Sequence, residues 1–203
     1  WLYVHAFDEA SGNFQVDILR RPLLDNSIKL LGLLLVIEFA LAPGLAAAAA
    51  LLLALLLAAR FLFWKPLLAL RRIDIGIMYI GYLLIVAQLV VQALGRLGAP
   101  AWTGSVSVHL FSFGVMGTVI PAMLIRISKG HTGRKVTFDA LDRAVLYLML
   151  AALALRIVAP QLLPAAYLLW LQLAAGCWFA GFGILGWRYI PFLLRPRVDG
   201  KEH

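Results

Sequence analysis

The 203-residue chain is 63% hydrophobic and only 14% charged, where soluble domains are closer to half apolar and a quarter charged. A soluble core of this length cannot hide so much apolar surface, so a bilayer must solvate it. The formal charge of +8 would suit a nucleic-acid binder, but the basic residues sit in short gaps between apolar runs, where they set membrane topology instead, and the lone Cys177 excludes an internal disulfide framework and any Cys-based metal cluster.

Residues 1–27 are mixed in polarity and lack a compact apolar run ending in a cleavage site, so they do not form a signal peptide. They read as an N-terminal cytoplasmic or interfacial segment. The start at Trp1 suits either a piece of a longer protein or a trimmed terminus. Residues 28–190 then read as a bundle of six transmembrane helices, an all-α polytopic fold with short loops, followed by a cytoplasmic tail over 191–203. A crossing takes about 20 apolar residues. The first two candidates, Ile28 to Ala42 and Leu45 to Phe63, are together too long for one crossing, at roughly 50 Å of helix. Ala42-Pro43-Gly44 breaks the run into a tight hairpin. The third span is Ile73 to Leu94. The fourth is Ser105 to Ile127, with Pro121 inside it as a kink. The fifth is Ala140 to Val158, and the sixth runs from Leu163 to Trp187. The run Ala46 to Ala50 offers small side chains that let helices approach closely in lipid, although a generic apolar span reads the same way.

Charge supports the count. Sixteen of the eighteen Lys and Arg fall in alternate gaps: around Arg20, Arg21 and Lys29, from Arg60 to Arg72, from Arg126 to Arg143, and from Arg188 to Lys201. Only Arg96 and Arg156 fall in the others. Six spans put the four basic regions on one face, and the positive-inside rule makes that face cytoplasmic, with both ends of the chain inside. Trp64, Trp102, Trp170 and Trp187 stand near span ends, as an aromatic belt would.

Polar groups within spans are costly and usually face a bundle interior or a functional cavity. Glu38, Gln88, Gln92, His109 and Gln172 all fall in the outer half of the expected spans. Gln88 and Gln92 share a helix face, and the glutamines are expected to bond across helices. On a regular helix His109, Ser112, Phe113 and Met116 also share a face. His109 and Met116 could then aim at one buried object, since imidazole and thioether both suit haem iron or copper. The plainer reading is that His109 bonds a carbonyl and Met116 packs. Glu38 is a proton or ligand residue, or a paired structural one. His131 lies in Lys129-Gly130-His131-Thr132-Gly133-Arg134-Lys135, about 33 Å along a helix from His109, too far to share a metal unless the chain folds back. That cationic loop reads equally well as an inner loop touching anionic lipid headgroups. Asp74 is expected to cap its helix or pair with Arg71 or Arg72. No soluble catalytic motif is present.

His109 to Val136, reading HLFSFGVMGTVIPAMLIRISKGHTGRKV, resembles the NnrS family in three features: a histidine opening a span, the Gly114 and Gly117 step, and the loop Gly130-His131-Thr132-Gly133-Arg134. Pro66-Leu67-Leu68 and Gly81-Tyr82-Leu83 look like the family's preceding span. Many members carry a histidine where this chain reads Arg71-Arg72-Ile73-Asp74-Ile75-Gly76. Members are commonly longer, and this chain looks like their C-terminal half. The resemblance implies a bacterial inner-membrane protein that binds haem b, copper or both and takes part in nitric oxide metabolism or the nitrosative-stress response. It raises both His109 and His131 as candidate metal ligands, without saying which binds what, and implies an N-terminal half or further transmembrane helices as partner. By position rather than resemblance, Met116 could face the same group, Glu38 or a glutamine such as Gln88 or Gln92 could take the second ring nitrogen of His109, and His131 would have a structural or secondary role on the inner face. Depth favours His109 as the axial ligand. The alternatives are a transporter half, with its site near the midplane around Gly114 and Pro121, or a structural or sensory subunit without a metal.

Overall fold

A computed structural model describes residues 5–8, 13–15, 22–37, 40–64, 66–98, 102–198 and 200. Glu38 lies outside the described residues. The expected all-α polytopic fold holds, joined among the described residues by a small antiparallel hairpin of β1 (His5–Asp8) and β2 (Asn13–Gln15). The helices in order are α1 (Pro22–Val36), α2 (Pro43–Leu62), the short α3 (Pro66–Ala69), α4 (Ile73–Arg96) and the single turn α5 (Val106–His109). A π-helical segment (Leu110–Met116) leads into α6 (Gly117–His131). Then come α7 (Ala140–Ile157), the turn α8 (Ala159–Leu162), a 3₁₀ turn (Pro164–Ala166) and α9 (Tyr167–Leu193).

Among the described residues, five helical runs are long and apolar enough to cross a membrane: Pro43–Leu62, Ile73–Arg96, Val106–His131, Ala140–Leu162 and Pro164–Leu193. The expected count of six is corrected at its first member. That helix starts earlier than Ile28, with Pro22 opening it, and ends at Val36. Its fifteen residues reach about 22 Å, short of a hydrocarbon core of about 30 Å.

The chain divides into two compact units. The first comprises residues 1–72 and 85–101. Here α1 and α2 form the expected antiparallel hairpin, with Pro43 as the first residue of α2, where its missing N–H costs nothing. Asp25 near the start of α1 pairs with Arg60 near the end of α2 at 3.5 Å, which ties the open end of the hairpin. Ala46, Ala47, Ala49 and Ala50 are buried, so the small-residue run serves close packing.

The second unit comprises residues 73–84 and 102–203. Its core is built from Ile77, Ala122, Ile125, Val145, Leu146, Met149, Leu185 and Tyr189, and α7 packs along α9. The opposite face of α9 is apolar and exposed, with Phe179 85% and Trp187 76% accessible, as a lipid-facing helix should be. Gly114 and Gly117 stand at close approaches. A Cβ on Gly114 would lie 3.1 Å from Leu84, and one on Gly117 would lie 3.3 Å from the Trp178 indole.

Candidate functional site

The second unit gathers polar side chains at both ends of its helices. At the end bearing the His131 loop, the signature Gly130-His131-Thr132-Gly133-Arg134 is a helix stop. Gly133 takes φ +72°, a conformation that suits glycine. The Arg134 N–H reaches back to the Lys129 carbonyl at 2.9 Å, and the Gly133 N–H to that of Gly130 at 3.1 Å. This is a Schellman closure. The buried Thr132 hydroxyl donates to the Ser128 carbonyl at 2.7 Å. The Val198 N–H donates to the Thr132 carbonyl, and Arg197 Nη1 to the His131 carbonyl. His131 itself is exposed.

The stop presents Lys129 inward. Its ammonium meets Asp142 Oδ2 at 2.5 Å and the Thr137 carbonyl at 2.5 Å. Tyr189 Oη donates to the other oxygen of Asp142 at 2.5 Å. Asp139 and Asp142 form a capping box at the start of α7, and Arg188 pairs with Asp139 through two nitrogens. Desolvation pushes the Asp139 carboxyl up, but the Arg188 hydrogen bond, the Asp142 N–H and the charges of Arg188 and Lys129 outweigh it and leave it below its ordinary value. Asp74, expected to cap or pair through its carboxylate, also offers its backbone carbonyl to Arg126 Nη2 at 2.8 Å.

The other end holds His109. Arg156, in the last turn of α7, sends Nη2 to His109 Nε2 at 2.5 Å and donates from Nη1 to Tyr167 Oη at 3.1 Å. A guanidinium only donates, so His109 Nε2 must offer its lone pair and the ring proton sits on Nδ1. Nδ1 faces Ser112 Oγ at 3.4 Å, and that hydroxyl donates onward to the Val108 carbonyl at 3.0 Å. Behind the imidazole, Phe113 meets it edge-on at 5.6 Å and stacks on Trp178, which continues to Phe182. The rim is the 102–105 loop. Thr103 exchanges two hydrogen bonds with the Gln161 amide, at 3.0 and 2.9 Å. Gly104, at φ +77°, lies so close to Tyr167 that a Cβ would come within 3.0 Å of its hydroxyl.

Of the expected site residues described in the second unit, His109 sits in this cluster. Met116 is 42% exposed. The cause is the π segment, whose i→i+5 turn holds one residue more than an α turn. The position in line with His109 therefore moves from Met116 to Gly117, which packs on Trp178. His131 stands at the far end of α6. Gln88 donates to Gln92 on its own helix at 3.2 Å, and both belong to the first unit. Gln172 is exposed. Arg156, Tyr167 and Gln161 were not singled out from the sequence. The signal for Arg156 was its isolation as one of two basic residues in the gaps otherwise free of them.

Among the described residues no three of His, Cys, Asp and Glu gather to hold an ion. His109 spends both ring nitrogens on Arg156 and Ser112, and a metal at Nε2 would have to displace a cation and then sit beside it. As arranged, these residues do not fit a haem iron or a copper ion. A family model described as NnrS protein matches residues 5–197, nearly the whole chain. No curated protein and no solved structure matches it.

Proposed function

Because this chain belongs to the NnrS family, we propose that it is a multi-pass protein of the bacterial inner membrane that serves nitric oxide metabolism or the nitrosative-stress response, with the His109–Arg156–Tyr167 cluster as its site. The observation that carries the reading is the family match over residues 5–197. The cluster supports the location, since polar side chains within spans are costly unless they are used. The bias of basic residues supports a cytoplasmic side that takes the ends of α2, α6 and α9, which leaves His109 and Arg156 on the periplasmic side. The remainder of the site is supplied by further transmembrane helices, in an N-terminal half or a partner.

Haem b and copper, which the resemblance implies, would require His109 Nε2 to leave Arg156 and a second ligand from beyond the cluster. Growth of a deletion strain under nitric oxide, complemented with wild type, His109→Ala or Arg156→Gln, tests the reading. Wild type restores tolerance and both variants fall short of it. Full complementation by both variants, or a deletion strain as tolerant as its parent, refutes the assignment. A stoichiometric Soret band that disappears in His109→Ala and survives in His131→Ala would reinstate the metal.

A further inference from the structure

Taking the His109 end of the second unit as the functional site, as above, we propose that Arg156 binds a small planar oxyanion of single charge, such as a carboxylate or nitrite. A guanidinium stays charged throughout the working pH range. Two of its nitrogens are satisfied by neutral acceptors, the Tyr167 hydroxyl and the His109 imidazole. These bonds fix its orientation and leave its charge unopposed. Its Nε is buried and finds no acceptor among the described residues, and among them no carboxylate pairs with it.

The contrast lies within the same unit. There two cations, Lys129 and Arg188, are matched by carboxylates, Asp142 and Asp139. A partly buried cation without a counterion is unfavourable in an apolar segment, and a bound monoanion cancels the cost with one charge. A planar oxyanion can meet two adjacent N–H groups of one guanidinium at once, which a spherical ion cannot. A metal cation is repelled from the same place. The surroundings hold the donor still: Gln161 anchors the 102–105 loop, and Gly104 lets that loop lie against Tyr167.

The test uses the full chain, purified in detergent and depleted of lipid. Its thermal midpoint is followed against sodium formate and sodium nitrite, with sodium chloride at equal ionic strength as reference. Wild type shows a saturable rise with formate and nitrite beyond that with chloride. Arg156→Gln binds at least tenfold more weakly. Arg156→Lys keeps the charge, so it remains a usable probe if the Gln variant does not fold, and it loses the preference for planar anions over chloride. Equal responses to the three salts overturn the proposal, as does a wild-type preference that persists in Arg156→Lys. If phosphatidylglycerol gives the Arg156-dependent rise and formate does not, a lipid phosphate occupies the site and the small-anion proposal is overturned. The growth assay is independent: formate binding at Arg156 with unchanged nitric oxide tolerance would sink the function and spare the anion site.

Discussion

Lys129 and Asp142 form an ion pair at 2.5 Å with side chains only 7% and 1% accessible, and they join α6 to α7 inside the second unit. Tyr189 from α9 donates to the same carboxylate, so one acidic side chain holds three helices. Removing one partner of a buried pair strands the other charge, at a cost of about 3–5 kcal/mol. Asp142→Asn and Lys129→Met should each lower the thermal midpoint strongly. The double variant Lys129→Met/Asp142→Leu should fall less than the two single effects combined, and simple addition of the effects would deny the coupling. Tyr189→Phe removes one bond to a charged acceptor and should cost about 1.5–3 kcal/mol.

Glycines at helix contacts should differ according to what a methyl group would meet. A Cβ on Gly81 would come 2.6 Å from Val119 Cγ2 and 2.9 Å from Thr118 Oγ1, both on stiff β-branched side chains. Gly81→Ala should therefore cost about 1–3 kcal/mol. A Cβ on Gly181 would overlap Met149 Cε, the mobile end of a flexible side chain. Gly181→Ala should cost less than Gly81→Ala in the same thermal assay, and the reverse order would contradict the packing account.

Gly133 closes α6 at φ +72°. Gly133→Ala should cost about 1–2 kcal/mol, from the crowding of Cβ in the left-handed region. Gly133→Asn should cost less, because asparagine tolerates that region better. Equal losses for the two variants would mean that the turn had rearranged.

Asp139 should contribute an acid-sensitive share of stability. Its carboxyl titrates below its ordinary value in the fold, because Arg188 and the Asp142 N–H favour the charged form by more than burial disfavours it. A depressed carboxyl stabilises the fold fully above its unfolded pKa, about 4, and the contribution disappears as pH falls through the lower native value. The side chain is 46% exposed, so solvent screening keeps the effect modest. Asp139→Asn should flatten the thermal midpoint between about pH 5 and 2. An unchanged slope in that variant would place the acid sensitivity elsewhere.

The spans were legible because apolar length and proline position report directly on them. Expected Leu45–Phe63 became Pro43–Leu62, and expected Ala140–Val158 became Ala140–Ile157. The first span was misjudged because its apolar run was counted while Pro22, a helix-opening residue, was passed over. The His109 cluster was half legible. A histidine within a span marked it, but its partner Arg156 is 47 residues away, and one sequence carries no trace of that pairing. Asp139 and Asp142 three residues apart before an apolar run were a readable cap. Their union with Lys129, Arg188 and Tyr189 is a tertiary fact. Met116 was misplaced because a 3.6-residue period was assumed through a stretch that does not keep it.

That stretch, Leu110–Met116, has a consequence for how the helix can change over time. One surplus residue turns everything beyond it by about 100° while the rows on either side stay regular. Excising a single residue there would leave the Lys129 end seated against its neighbours and swing the imidazole off its arginine. The two ends of one rod are thus free to diversify separately, with the widened turn as the joint between them.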